Sequence, residues 1–146
     1  MFYYSLMLKL YFLLLILFSS NLLIAQEPQT TYTLQIIVNN FEIIKGELQV
    51  CLTDKKKDFL KHCKYAKVVT VTNYSVSLEI ANIKTGIYSI SVFHDENNNG
   101  VLDKGLFGIP SEPYAFSNNP SKSFGPPSFE KCTLIINKDK QISIEL

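Results

Sequence analysis

Asp95, Asn97 and Asn99 place a side-chain oxygen at every second position, Gly100 follows directly, and Asp103 comes three residues later. These offsets match positions one, three, five, six and nine of a calcium loop. Alternate side chains of such a loop turn their oxygens toward one centre, and the glycine permits a sharp bend. The Val101 carbonyl would add a backbone ligand, and Asp103 would bind directly or through water. The expected metal set is Asp95, Asn97, Asn99, Val101 and Asp103, with calcium as the ion. One position departs from the pattern, since Leu106 stands where a bidentate glutamate belongs. No helical pattern flanks the run, so it is not an EF-hand. Two carboxylates and two amides make a low-charge site, suited to affinities of roughly 10⁻⁴ to 10⁻³ M. Glu112 could reach back and complete the shell. The alternative is a metal-free turn, because Asn99-Gly100 is a strong two-residue hairpin signal.

Other reactive side chains are few. The only histidines are His62 and His94, and the cysteines are Cys51, Cys63 and Cys132. A hydrolase built on His94, Asp95 and Glu112 needs a nucleophile with a neighbouring base, and none is offered. His94 reads as a strand-end histidine hydrogen-bonded to the loop, and Cys132 as a buried free thiol. The chain is therefore expected not to be an enzyme. Tyr114, Phe116, Asn118 and Asn119 combine aromatic faces with amides, the pairing that suits a glycan or a peptide. The alternative is that the two rings plug the open end of the fold.

These residues lie in one long connection, 94–129, which holds five of the six prolines. Connections of this length are functional or disordered. Leu102, Leu106, Phe107, Ile109, Tyr114, Phe116, Phe124 and Phe129 give it too much apolar surface for a solvated linker. It is expected to be ordered.

Around it the pattern is strand throughout. Tyr32, Leu34, Ile36 and Val38 form one apolar stripe, and Leu48, Val50 and Leu52 another. Val76-Leu78-Ile80, Tyr88-Ile90-Val92, Cys132-Leu134-Ile136 and Ile142-Ile144-Leu146 continue the series, with a weaker strand over Lys67–Thr72. Only Lys55–Lys64 could be helical, for barely two turns. One-sided strands without crossover helices pack as two antiparallel sheets. The expected fold is all-β: a small antiparallel β-sandwich of about seven strands, immunoglobulin-like or prealbumin-like, with one long ordered loop.

Lys9, the apolar block Leu10–Phe18 and the small residue Ala25 describe a secretory signal peptide over 1–25, leaving one domain over 26–146. A retained anchor is the alternative, and a membrane would then be met only through that segment. All 14 basic residues are lysine against 13 acids. With no arginine and no basic excess, nucleic acid is excluded as a partner. Export permits disulfides. Cys51 points outward beside Glu47 and Gln49, and Cys63 lies in the next connection, so a Cys51–Cys63 bridge is expected.

The run Phe93–Asp103, then Gly108-Ile-Pro-Ser-Glu112, Tyr114–Asn119 and Phe124–Phe129, resembles the exported bacterial proteins grouped as domain of unknown function 2141. Pro113 and Ala115 depart from the glycines more usual beside Tyr114. The resemblance implies a secreted or periplasmic β-domain and no established activity. The functional expectation is a non-enzymatic module of the bacterial cell envelope, calcium-stabilised, with a binding or structural role. Its partner would be an envelope protein or a glycan. A carbohydrate- or peptide-binding module using 112–129 is the alternative.

Overall fold

The computed structural model describes residues 3–5, 7–11, 30–122 and 125–146. Most of the expected leader, with its cleavage after Ala25, lies outside the described residues, as does Phe124. Among the described residues no helix is long and apolar enough to cross a membrane.

Eight strands form: β1 Thr31–Asn39, β2 Glu47–Thr53, β3 Tyr65–Thr70, β4 Ser75–Lys84, β5 Gly86–Asp95, β6 Tyr114–Phe116, β7 Thr133–Ile136 and β8 Lys140–Glu145. They make two sheets, ordered β4-β1-β8 and β3-β2-β5-β6. The second sheet has a divided edge. One flank of β5 pairs with β2 along its length, while the other carries β7 at Gly86–Ser89 and β6 at Ser91–Phe93. A sandwich results, because each strand has one apolar face to hide. Leu34, Ile36 and Val38 from the small sheet meet Leu48, Leu52, Ile90 and Ile136 from the large one, all fully buried.

Three differences from the sequence reading have physical causes. β1 and β8 pair in parallel, Leu34 opposite Lys140 through Asn39 opposite Glu145. The chain visits the other sheet between them, so it re-enters beside β1 in the same direction without a crossover helix. β6 is an eighth strand inside the long connection, where Pro110 and Pro113 mask a three-residue Tyr-Ala-Phe alternation. The suspected helix at Lys55–Lys64 contracts to a single 3-10 turn, Lys56–Asp58, after which Cys63 is bonded to Cys51. The Cα atoms of that disulfide lie 5.2 Å apart, and Cys132 is free and buried.

Candidate functional site

Strand alternation decides the fate of the β5 end. His94 continues the inward phase of Tyr88, Ile90 and Val92, so Asp95 faces the outer side of the sheet. Asp95 is nonetheless fully buried, because the chain folds over it. Its carboxylate accepts the backbone N–H of Gly100 at 2.7 Å and of Asn99 at 3.1 Å, and the Gln49 amide at 3.5 Å. Burial works to raise its pKa, but these donors outweigh burial and hold the carboxyl below its ordinary value. Gly100 sits at φ +78°, which its lack of a Cβ allows. Gly46 is the tightest point beneath: a Cβ there would meet the Asp95 carbonyl oxygen at 2.1 Å.

The rest of the loop is tied with the same chemistry. The side-chain oxygens of Asn97 and Asn99 accept the N–H groups of Asn99 at 3.1 Å and Val101 at 2.8 Å. Their Nδ2 groups donate to Asp103 at 2.6 and 3.0 Å. Glu112, buried, reaches back from beyond the loop and accepts the N–H of Glu96 and of Asp103, each at 2.9 Å. The expected set Asp95, Asn97, Asn99, Val101 and Asp103 is thus brought together around one short turn, with Glu112 added. The side-chain oxygens of its four Asp and Asn residues meet N–H donors. Among the described residues no three of His, Cys, Asp and Glu are grouped to hold a metal ion. A carboxylate oxygen has two lone pairs, so Asp95 and Asp103 keep acceptor capacity beyond these bonds.

Beyond Glu112 the chain returns as β6, placing Tyr114 opposite Phe93 and Phe116 opposite Ser91. A groove of about 580 Å³ opens on this outer sheet face. Phe93 and Tyr114 contribute aromatic surface with the buried Phe116 behind them, the Cys51–Cys63 bridge lies in the floor, and Leu102 and Pro110 form part of the roof. Tyr114 and Phe116 meet edge to face, centroids 5.8 Å apart, and Phe59 and Phe129 extend the aromatic row. The Lys122 ammonium stands 5.2 Å from the centre of the Tyr114 ring and donates to the Tyr114 carbonyl at 2.6 Å. Burial there pushes its pKa below the ordinary lysine value.

The expected ligand-binding set divides. Tyr114 and Phe116 line the groove, whereas Asn118 and Asn119 clip strands together. The Asn118 amide donates to the carbonyls of Lys131 and Thr133 at 3.2 and 2.8 Å. Asn119 accepts the Glu145 N–H at 2.9 Å and donates to the Ser143 carbonyl at 3.3 Å. Ser117 binds both Ile90 and the Cys132 carbonyl, which fixes β6 to β5 and to β7's approach.

The remaining polar candidates face inward. His94 is fully buried, with Nε2 2.7 Å from the Lys45 carbonyl and its ring edge-on to Phe41 at 5.0 Å. Its Nδ1 has no partner among the described residues. Burial pushes the Cys132 thiol up to about 11. Sequence reasoning missed Phe93, Gln49 and Gly46. Phe93 carried a signal, since it shares a phase with Ser91 and Asp95, but Gly46 carried none without its neighbour in space.

Fold and site together define a β-sandwich domain whose larger sheet is roofed by one hydrogen-bonded loop. Comparison with known proteins is sparse: no curated protein and no solved structure matches the chain. A family model does match, over residues 36–145, and the chain belongs to that family, the uncharacterised proteins conserved in bacteria called DUF2141.

Proposed function

We propose that the chain is an exported, non-enzymatic module of the bacterial cell envelope, and that the groove over β5 and β6 is its binding surface. One observation carries this reading: Phe93 and Tyr114, both half-buried, lie side by side in a groove of about 580 Å³, with the buried Phe116 packed beside them. Small-ligand sites span roughly 300–1,000 Å³ and combine apolar walls with a few polar groups. Here Gln49 and Ser91 supply the polar groups beside the rings. That combination suits a sugar ring stacked on an aromatic face, or the side chains of an extended peptide. An envelope carbohydrate or peptide is the ligand class.

The non-enzymatic reading is supported by the two groups best suited to chemistry. His94 is sealed in the core against Phe41, and a thiol titrating near 11 is not a thiolate at neutral pH. Export is supported by the apolar block Leu10–Phe18 and by the Cys51–Cys63 bridge, a bond that persists in oxidising compartments. The test is a glycan and peptide array probed with wild type and Tyr114→Ala. Hits weakened at least tenfold by the substitution support the groove. Hits indifferent to it count against the groove, and so does an array without hits.

Calcium is a second reading, favoured by the side chains of Asp95, Asn97, Asn99 and Asp103 lying on one turn, with lone pairs left on the two aspartates. Thermal unfolding in EDTA and in millimolar calcium tests it, with Asp95→Ala alongside. A calcium-dependent rise lost in the variant supports the ion, and superimposable curves reject it.

A further inference from the structure

The segment between the carboxylate-bound turn and β6 projects apolar side chains into solvent. Leu106 is 84 %, Phe107 97 % and Ile109 64 % exposed. This is a built finger. Lys104 bridges Pro110, the Gly105 N–H donates to the Ile109 carbonyl at 2.8 Å, and Ser111 donates to the Asp103 carbonyl at 2.9 Å. At the tip Phe107 holds φ +64°, a left-handed conformation that bulky residues avoid. Contiguous apolar surface held outward in this way marks a contact that excludes water.

We propose that this finger inserts into the interfacial layer of a lipid bilayer bearing anionic headgroups. Two observations favour lipid over a protein. The apolar residues form a convex tip, which a deformable bilayer accommodates and which a protein could receive only through a matching pit. At the finger's base Lys104 stands beside Asp103, whose carboxylate is engaged by the Asn97 and Asn99 amides, so the lysine ammonium is the charge left to meet headgroup phosphate while the tip lies deeper. The bonded Gly105 N–H and Ile109 carbonyl also lower the cost of leaving water. Three side chains support weak, reversible docking that adds to any other anchor. The finger shares Lys104, Gly108 and Pro110 with the wall of the groove, but its tip residues Leu106, Phe107 and Ile109 lie outside the groove lining.

The chain has no tryptophan, so the full-length Phe107→Trp variant carries a single reporter. It is mixed with phosphatidylcholine vesicles, with and without phosphatidylglycerol, some with brominated acyl chains. Ile135→Trp is the control. Residue 135 is 57 % exposed and pairs with the start of β5, at the opposite end of the sheet from Asp95. The reporter reads depth at one position, so vesicle binding by the N-terminal apolar block does not imitate it. The expected result is a blue shift and bromine quenching at position 107 but not 135, strongest on anionic vesicles. Adding Lys104→Gln should lower partitioning about fivefold. Unshifted, unquenched emission at 107 overturns the proposal. So does a blue shift that grows with protein concentration without lipid, which would assign the tip to self-association.

Discussion

The Glu112 carboxylate accepts the backbone N–H of Asp103 at 2.9 Å while its other oxygen holds Glu96. One buried side chain thereby closes both ends of the turn whose interior is filled by Asp95. The loop's shape follows from carboxylates meeting backbone donors, and that shape sets where the roof of the groove lies.

Replacing Glu112 tests this closure. Glu112→Ala leaves two part-buried N–H groups without their acceptor and should cost about 2 kcal/mol or more, since an unsatisfied buried donor costs about 1–3 each. Glu112→Gln keeps one acceptor oxygen and should cost less. Chemical denaturation gives both values, and hydrogen exchange at Glu96 and Asp103 should accelerate in the alanine variant first.

Asp95 predicts a pH dependence. Its folded pKa lies below the ordinary value of 3.8. Its stabilisation is therefore complete above about pH 4 and is lost as pH falls through the folded value. Wild type should lose stability progressively below pH 4, and Asp95→Asn should lose less over that window from a lower starting point. Urea midpoints measured from pH 7 to pH 2 report the difference.

Gly46→Ala should be among the most damaging single changes. Its φ is +69°, and the new methyl group would lie 2.1 Å from the Asp95 carbonyl oxygen, so backbone must move. A cost on the order of 2–4 kcal/mol is expected, combining strain and a displaced turn. Amide shifts should spread from Gly46 to Asp95 and Gly100.

Reduction tests the cystine. Cys51→Ser with Cys63→Ser should destabilise by about 3 kcal/mol for a short closed loop. The Tyr65–Thr70 strand should still pair with β2, since six opposed positions hold it there. Near-native chemical shifts for Val68 and Val69 in the double variant would establish this.

Much of the scaffold was legible because each strand hides one face. The stripes through Leu34, Leu48, Leu78, Ile90 and Ile144 alternate in period two, and all five residues are buried. The Cys51–Cys63 pairing followed from an outward strand position beside a short connection. What escaped was long-range. Nothing local tells β8 to lie parallel to β1, and β6 is too short to stand out between prolines. At the site, alternating oxygens were visible, but their partners are backbone N–H groups that only the folded turn brings near. The bonds that Asn118 and Asn119 make to the carbonyls of Lys131, Thr133 and Ser143 were likewise hidden, because sequence does not reveal which carbonyls a loop will pass. The phase of Tyr88, Ile90 and Val92 extends to His94 and could have placed that ring in the core.

The groove is the central claim, and backbone amide chemical shifts test it most directly. Isotope-labelled protein would be titrated with oligosaccharide and peptide fragments of the bacterial envelope. The predicted result is a saturable set of shifts at Phe93, Leu102, Tyr114 and Phe116, abolished by Tyr114→Ala while the fold's remaining signals stay in place. Shifts absent with every fragment, or confined to residues away from the β5–β6 face, would contradict it.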